Sequence, residues 1–408
     1  MRQRVNLVGP VWSSMAPALL LALVLLLTPN GAAAQEEEAP AEADPTVLAP
    51  PEVEARAWAL VDRETGLFLA GENPDEGLPV ASMTKVMTAL VALREVEAGA
   101  ASFDDEVTIS ENAESYVGLV YSNVGLISGE TVTLRDLLVA TLVPSGTDAA
   151  YALAEHLGDG SVEAFVARMN EEAQALGLEN SRFESPAGLD TPQNFASARD
   201  MAEISREAMA YPEFAEIVGQ AEATIETNNR EIEIFNTNTL LNTYEPATGI
   251  KTGTSPESGP SLSASAESDG ESYIAVVLDA ASEDGTPGDR FEDAQAILEH
   301  GFGRYDREAL IARDEPYEKL PLPYRRDESV DLVATEDVFG PVDAASEVER
   351  RVTTPEPPPS ARAGQELGEV EVLIGGQSVG RSPLVTRQGY EEASLWQRVT
   401  HAVGGLFQ

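Results

Sequence analysis

The amino-acid sequence predicts an α+β protein, in which helices pack on one antiparallel sheet and a small all-β domain follows. Three observations predict this fold class. Strand-like alternation of apolar residues occurs near residues 57–70 and returns at residues 249–280. The stretch between them has helical periodicity. After residue 304 the sequence contains short apolar runs separated by Pro, Gly and Asp.

The larger domain is placed at residues 53–303, and its elements follow in chain order. A hairpin comes first. Its strands are predicted at Ala57–Val61 and Leu67–Ala70, and they flank a turn at Arg63–Gly66. The segment Ser82–Glu97 is apolar on most faces, which predicts a buried helix. Further helices are predicted at Thr133–Val143, Asp148–His156, Ser161–Leu176 and Ser197–Met209. Three strands are predicted at Gly249–Thr254, Ser261–Ala266 and Tyr273–Ala280. A last helix is predicted at Ala294–Phe302.

Two of these strands come from the start of the domain and three from its end. We therefore expect one antiparallel sheet whose outer strands come from distant chain segments. The all-β domain is placed at residues 304–388, on the apolar runs at 330–333, 370–374 and 384–385.

Residues 1–34 have the features of a secretory signal peptide. Arg2 and Arg4 form a basic start, and residues 15–27 form an apolar stretch. The alanines at 32–34 have the small side chains of a cleavage site. An uncleaved anchor is the alternative, which is disfavoured because the apolar stretch is shorter than a membrane span of about 20 residues. Residues 35–52, rich in Glu, Pro and Ala, predict an acidic disordered linker. We expect an exported protein that works outside the cytoplasm, secreted or peripheral on the outer face of the cytoplasmic membrane.

Residues 389–408 are predicted to form an amphipathic C-terminal helix. Apolar side chains recur at spacings of three and four, at Leu395, Trp396, Val399, Ala402, Val403 and Leu406. Peripheral membrane contact through this apolar face is one expectation. A helix packed on the β domain is the alternative.

Composition excludes several classes of function. A net charge of −44 argues against binding to nucleic acid, whose phosphates require clustered Lys and Arg. The absence of cysteine excludes disulfides, thiolate metal sites and cysteine nucleophiles. The three histidines, His156, His300 and His401, have no metal-ligand spacing, so neither a metal nor a cofactor is predicted. No GxSxG motif supports a Ser-His-Asp triad.

Only three of the 26 basic residues are lysine, namely Lys85, Lys251 and Lys319. Lysine can lose its proton when it is desolvated, whereas arginine stays charged in proteins. A lysine kept in an arginine-rich chain is therefore a candidate for acid-base chemistry. For Lys319 we expect an ordinary surface position.

The context of Lys85 and Lys251 points to catalysis. Lys85 follows Ser82 by three residues at the start of the buried helix, so both side chains share one helix face. An apolar setting lowers the pKa of a lysine, which can then take the proton of a serine. Lys251 begins Lys-Thr-Gly on a predicted strand, where Gly253 would let a substrate backbone lie close to the strand edge. A Ser-Gly pair at Ser145 lies between these two motifs, at a junction of helices.

At these residues the sequence resembles the D-alanyl-D-alanine carboxypeptidases of the low-molecular-mass penicillin-binding proteins, peptidase family S11. The serine-x-x-lysine and lysine-threonine-glycine motifs of the family are matched by Ser82-Met83-Thr84-Lys85 and Lys251-Thr252-Gly253. Supporting stretches are Gly188-Leu189-Asp190, residues 197–200, residues 235–241, Asp289-Arg290-Phe291 and Gly301-Phe302. The likeness is good from about residue 53 to 302 and looser beyond.

The resemblance implies a penicillin-binding, serine β-lactamase-like transpeptidase domain and a role for each motif residue. Ser82 would be the acylated nucleophile, Lys85 its general base and Ser145 a proton relay. The implied substrate-binding residues are Lys251, Thr252, Gly253, Thr254, Thr147, Ser122 and Arg290. Backbone N–H groups of Ser82 and Thr254 would form the oxyanion hole. The implied partners are peptidoglycan stem peptides and β-lactams.

Two positions depart from the family pattern. Thr147 stands where the family's middle motif, serine-x-asparagine, has its asparagine, and a threonine hydroxyl has a shorter reach than an amide. Ala187 stands where relatives often have a histidine. Neither change removes the nucleophile or its base, so we expect activity.

Two other functions stay open at this point. A catalytically weak or silent wall-binding homologue would be consistent with Thr147. A class A β-lactamase would need a Glu-x-x-Leu-Asn loop, and before Leu241-Asn242 the glutamate is replaced by Asn238.

Overall fold

A computed structural model describes residues 50–280, 288–325 and 327–404. The predicted signal peptide, and the predicted linker up to residue 49, lie outside the described residues. In chain order the strands and helices up to residue 304 are β1 (Ala55–Asp62), β2 (Phe68–Glu72), α1 (Lys85–Glu97), β3 (Glu106–Thr108), α2 (Glu111–Glu114), β4 (Thr131–Thr133), α3 (Leu134–Leu142), α4 (Thr147–Leu157), α5 (Val162–Ala175), α6 (Ala198–Met209), α7 (Pro212–Val218), β5 (Glu222–Glu226), β6 (Glu231–Phe235), α8 (Leu240–Thr243), β7 (Ala247–Ser255), β8 (Gly259–Ser268), β9 (Glu271–Ala280) and α9 (Arg290–Arg304).

The central sheet is antiparallel, with the strand order β2-β1-β9-β8-β7. Its outer strands β2 and β7 come from opposite ends of this part of the chain, as the sequence predicted. Alternate residues of β9 point to opposite faces, so that Ile274 and Val276 join one hydrophobic core and Ala275 and Val277 another. Helices α1, α3, α4 and α6 pack in the first core and α9 in the second, which buries both faces of the sheet.

The helix predicted to begin at Ser82 begins later in the structure. Ser82 lies in a 3₁₀ turn at Ala81–Thr84, and α1 starts at Lys85. Met83 N–H donates to the Val80 carbonyl at 3.0 Å, the i to i−3 bond of such a turn. The helix itself is buried from Lys85 to Leu93, which confirms the expectation from its apolar faces.

Several short elements were missed by the sequence reading. The hairpin β5–β6 has a recognisable signal, because Glu or Thr alternates with Ala or Ile on both sides of Asn228-Asn229. Ile225 and Ile234 are buried beneath it, and its glutamates face outward. Strands β3 and β4 have three residues each, too few to show a period.

The chain after residue 304 folds into strands and one terminal helix. They are β10 (Asp306–Ile311), β11 (Pro316–Pro321), β12 (Ser329–Ala334), β13 (Val338–Val342), β14 (Val348–Thr353), β15 (Glu366–Ile374), β16 (Gln377–Thr386) and α10 (Leu395–Gly404). Strand β10 pairs with β13, and the others form an antiparallel sheet in the order β11-β12-β16-β15-β14. A separate hydrophobic core lies here, formed largely by Val330, Leu332, Val370, Val372 and Leu384. The predicted fold class, α+β followed by all-β, is confirmed.

Helix α10 turns its polar side towards the β domain. The guanidinium of Arg398 lies 5.4 Å from the ring centre of Tyr324, and His401 meets the same ring edge-on. Leu395 and Trp396 are 81% and 76% exposed. Residues 405–408, which include the predicted Leu406, lie outside the described part of the chain. Within the described ranges, no helix has both the length and the apolar character needed to cross a membrane.

Candidate active site

The first functional group is a serine hydroxyl beside a buried lysine. Lys85 is the first residue of α1 and is 0% exposed. Its Nζ lies 2.9 Å from Ser82 Oγ and 3.1 Å from the carbonyl oxygen of Ala187. The 3₁₀ turn thus places the serine within hydrogen-bond distance of a base.

The environment of Lys85 suits a base. Burial lowers the pKa of its ammonium to about 7, because desolvation disfavours the charged form. The carboxylate of Asp148 acts in the opposite direction and raises the pKa. A lysine with a pKa near 7 is neutral often enough near neutral pH to accept a proton from a hydroxyl.

The loop that carries Ala187 packs directly under the serine turn. Gly188 has a φ of +76°, and a Cβ there would lie 1.8 Å from the Ala81 carbonyl oxygen. Glycine is therefore required for the loop to approach. The contact with Lys85 uses the backbone carbonyl of residue 187, so it does not depend on the side chain that departs from the family pattern.

Ser145 and Thr147 lie at the junction of α3 and α4. Ser145 is 3% exposed, has a φ of +67°, and its Oγ has no hydrogen-bond partner among the described residues. A Cβ at Gly146 would lie 2.7 Å from the Ala140 carbonyl oxygen, so the tight turn needs this glycine. Thr147 begins α4, and its N–H donates to the Ser122 carbonyl at 2.8 Å. Buried polar atoms nearly always have a partner, so this hydroxyl is available to a water molecule or a ligand.

Asp148 is a site residue that the sequence reading missed. Its carboxylate is 0% exposed and accepts backbone N–H bonds from Val124, Gly125, Leu126 and Ala149, at 2.9–3.2 Å. It therefore ties the loop that carries Ser122 to the start of α4. The signal available in the sequence was an acidic residue directly after the Ser-Gly-Thr motif, in a helix otherwise apolar at that end.

Lys251 is the second buried lysine. It lies in β7, is 1% exposed, and its Nζ donates to the Thr252 carbonyl at 3.2 Å. Burial lowers its pKa well below the ordinary value, and the positive charges of Lys85 and Arg290 lower it further. Lys85 and Arg290 therefore lie near Lys251, so that three basic side chains share one site.

The strand end after Lys251 is held from both sides. A Cβ at Gly253 would lie 2.5 Å from the Val80 carbonyl oxygen, so this glycine lets β7 approach the serine turn. This is a second reason for glycine at residue 253, beside the predicted access for a substrate backbone. Arg290, the first residue of α9, donates to the carbonyls of Gly253 and Ser261 and to the Thr254 hydroxyl. Burial lowers the pKa of Arg290.

The predicted residues differ in how closely they join this site. Lys85, Lys251 and Thr147 are buried in it, and Thr252 is 5% exposed. Ser122 and Thr254 are exposed, and Ser122 contributes its backbone carbonyl rather than its hydroxyl to the Thr147 contact. Among the described residues, no three His, Asp or Glu side chains come together as a possible metal site. A serine hydroxyl beside a buried amine with a lowered pKa, next to further basic side chains, is an arrangement capable of acyl transfer.

The chain matches two known protein families in sequence. Residues 44–282 match the family described as D-alanyl-D-alanine carboxypeptidase, Peptidase_S11. Residues 305–392 match the C-terminal domain of penicillin-binding protein 5. The chain is similar to D-alanyl-D-alanine carboxypeptidase DacC of Escherichia coli, with 33% identity over 88% of this chain and 89% of that protein. It is 31% identical to DacF of Bacillus subtilis, over 84% of this chain and 87% of the relative.

Solved structures agree with these sequence matches. Penicillin-binding protein 5 of Haemophilus influenzae superposes with a TM-score of 0.70 at 30% identity, covering 85% of this chain and all of that one. The DD-transpeptidase of Streptomyces K15 has a TM-score of 0.58 at 34% identity, covering 62% of this chain and 99% of its own.

Replacing Asp148 by asparagine should change the pH dependence of the reaction at Ser82. Lys85 must be neutral to act as a base, so labelling of Ser82 by a penicillin should rise with pH around pH 7 in the wild type. The Asp148 charge raises the pKa of Lys85. Its removal should therefore move the acid limb of the labelling rate to lower pH, measured by stopped-flow between pH 5 and 9.

Asp200→Asn is the matched control, because Asp200 is also a buried carboxylate, which accepts the backbone N–H of Asn180 and the hydroxyl of Ser181. It should lower the melting temperature without moving the pH midpoint. An unchanged midpoint in a folded Asp148→Asn protein would contradict the assigned electrostatic role.

Proposed function

Because the chain belongs to the D-alanyl-D-alanine carboxypeptidase family, peptidase family S11, we propose that Ser82 is its acylated nucleophile and Lys85 the general base. The protein is a serine-type D-alanyl-D-alanine carboxypeptidase of the penicillin-binding type. The observation that supports these residue roles most directly is the 2.9 Å contact between Ser82 Oγ and a fully buried lysine nitrogen. The substrate is the D-Ala-D-Ala end of a peptidoglycan stem peptide.

In acylation, neutral Lys85 takes the proton of Ser82 as Oγ attacks the carbonyl carbon of the penultimate D-alanine. Negative charge develops on the carbonyl oxygen, and the N–H groups of Ser82 and Thr254 stabilise it. The C–N bond then breaks, and the terminal D-alanine leaves with a proton delivered through Ser145. The buried, unpaired Oγ of Ser145 supports this relay.

In deacylation, a water molecule attacks the ester on Ser82 after giving a proton to Lys85. The ester bond breaks, the proton returns to Ser82 Oγ, and the shortened peptide leaves with a new carboxylate. Dividing peptide hydrolysis into these two steps lowers each barrier. A β-lactam follows the acylation step, in which its ring amide opens and Ser82 carries the product.

The terminal carboxylate of the substrate is bound beside β7. Thr252 donates its hydroxyl, while Lys251 and Arg290 supply positive potential. Arg290 keeps its place through bonds to the Gly253 carbonyl and to Thr254, so it also shapes the strand end that receives the peptide. Thr147 at the start of α4 faces the substrate amide in this proposal, and Ser122 acts through its loop.

The two other functions have less support. A silent wall-binding homologue is favoured only by Thr147, while the contact between Ser82 and Lys85 supports an active enzyme. For a class A β-lactamase, the residue in the glutamate position is Asn238, whose Oδ1 accepts the N–H of Leu240 in the turn before α8. That amide has no carboxylate chemistry with which to activate a water molecule.

Action on peptidoglycan places the enzyme outside the cytoplasm. The predicted signal peptide supplies an export route. We also propose that α10 makes peripheral contact with the membrane, because Leu395, Trp396 and Val399 are exposed while Arg398 and His401 face Tyr324. This orientation argues against the alternative of an apolar helix face packed on the β domain.

Lys85→Arg tests the proposed chemistry directly. Wild-type protein should release D-alanine from a stem pentapeptide and gain the mass of one penicillin on Ser82. Arginine keeps the charge but cannot accept the proton, so both reactions should fall by at least about a hundredfold. Lys319→Arg, at an exposed position in β11, is the control and should leave both unchanged. Equal labelling of Lys85→Arg and wild type would show that another group is the base.

Thr147→Asn tests the departure at the middle motif. An asparagine amide can reach the substrate carbonyl, so kcat/KM for a D-Ala-D-Ala peptide should rise about two- to tenfold, the value of one hydrogen bond. Thr147→Val, which has the shape of threonine without its hydroxyl, should fall below wild type. A flat or lower rate for Thr147→Asn would mean that the surrounding site is adapted to threonine.

Membrane contact is tested by flotation with liposomes that contain anionic lipid. Protein cut after Ser394 should stay in the soluble fraction, while protein that keeps residues 395–408 should float. Trp396→Ala should reduce flotation more than added salt does, because Arg398 is the only arginine or lysine in the helix. Equal flotation of the cut and uncut proteins would rule out α10 as the contact.

A further inference from the structure

Thr237 lies between strand β7, which carries Thr252, and the loop that carries Ser145. It follows β6, and its Oγ1 is 2.6 Å from the Oγ1 of Thr252 in the Lys-Thr-Gly strand. Its backbone N–H donates at 3.1 Å to the carbonyl of Val143, two residues before Ser145. One residue therefore contacts both the substrate-binding strand and the loop of the proton relay.

The turn around Thr237 is held rigidly by two asparagines. Asn236 Oδ1 accepts the N–H of Asn238 at 2.8 Å, and Asn236 Nδ2 donates to the Gln220 carbonyl at 2.8 Å. Asn238 is 0% exposed, and its Oδ1 accepts the N–H of Leu240. Because the backbone on both sides is fixed in this way, the Thr237 hydroxyl is held against Thr252 at little cost in conformational entropy.

The direction of the bond between the two hydroxyls decides what Thr252 offers to a ligand. Each threonine hydroxyl has one proton and two acceptor lone pairs. If Thr252 donates to Thr237, its lone pairs face the cleft and repel a carboxylate. If Thr237 donates to Thr252, the Thr252 proton is available for an anion, in a charge-assisted hydrogen bond.

We propose that Thr237 is a positioning residue that orients the Thr252 hydroxyl as a donor and so makes the enzyme select peptides with a free C-terminal carboxylate. The inference rests on the proposed contact between Thr252 and that carboxylate. The ammonium of Lys251 attracts negative charge without fixing its direction, and Nη1 of Arg290 already donates to protein oxygens of β7 and β8. Thr237 donates to Thr252, and Thr252 donates to the carboxylate, which gives the contact a fixed direction. With a neutral C-terminal amide, this charge-assisted hydrogen bond would be lost.

The test compares an acylated D-Ala-D-Ala peptide with the same peptide as its C-terminal amide. Thr237→Val keeps the shape of threonine and removes the hydroxyl. It should lower kcat/KM for the acid by about tenfold, the size of one hydrogen bond to a charged group. The amide should react at its wild-type rate, so the acid-to-amide ratio falls about tenfold. Thr237→Ser keeps the hydroxyl and should preserve the ratio.

Thr248→Val is the matched control, since Thr248 forms a similar hydroxyl pair with Ser265 at 2.7 Å on the same strand β7. It should leave the ratio unchanged. Thr237→Ala provides a second variant if Thr237→Val does not fold, with the same expected loss. A fall in kcat/KM for both substrates alike would overturn the inference, because it would indicate a merely structural role.

Thr252→Val separates the inference from the proposed function. If Thr252→Val lowers the acid-to-amide ratio and Thr237→Val does not, Thr237 has no part in selectivity while the role of Thr252 stands. If Thr252→Val leaves the ratio unchanged, the carboxylate contact itself is wrong and the inference fails with it. A fall in the ratio with both variants, together with preservation in Thr237→Ser, supports the inference.

Discussion

The burial of two lysine side chains in one site is the constraint on which the rest of this active site depends. Lys85 and Lys251 are 0% and 1% exposed, and the hydrogen bonds of their Nζ atoms go to neutral oxygens. A buried ammonium without a bonded carboxylate is costly, and the cost appears as a lowered pKa. Desolvation therefore favours the neutral form of both amines, and an anionic ligand beside them would offset the missing counter-charge.

Such burial requires that three chain segments approach one another at backbone distance. The serine turn lies between the loop at Gly188 and strand β7 at Gly253, and at both glycines a Cβ would overlap a carbonyl oxygen. The non-glycine residues Ala81 and Ser145 both have positive φ. Backbone conformations of this kind are unfavourable, and they persist where surrounding packing fixes them. The hydrophobic core on this face of the sheet, which includes every apolar residue of α1 from Val86 to Leu93, supplies that packing.

The distribution of charge separates the site from the rest of the protein. The chain has a net charge of −44, yet Lys85 and Arg290 lie close enough to Lys251 to lower its pKa. At physiological salt the field of the acidic surface is screened within about 8 Å. The acidic surface therefore repels an anionic peptide only weakly at long range. Close to the site, the basic side chains attract the peptide. The carboxylate of the buried Asp148 also acts on this site, because its negative charge raises the pKa of Lys85.

The features that the sequence determined by itself are those encoded over a few neighbouring residues. Ser82 and Lys85 are three residues apart, so local turn geometry brings them together, and the scarcity of lysine marked both buried lysines. Hydrophobic periodicity was sufficient for the long helices and for strands β7 to β9. The hairpin β5–β6 had the same kind of signal in its alternating glutamates and was missed.

The contacts that only the tertiary structure decided join residues far apart in the chain. The carbonyl that holds Lys85 lies 102 residues away, and the N–H groups of Val124, Gly125 and Leu126, bound by Asp148, lie 22–24 residues before it. Thr237 meets Thr252 because a turn, a short helix and a strand fold back on one another. No local pattern encodes such distances, since loop geometry and packing set them. The residues of the chemistry are therefore readable from the sequence, whereas the groups that orient them depend on the fold.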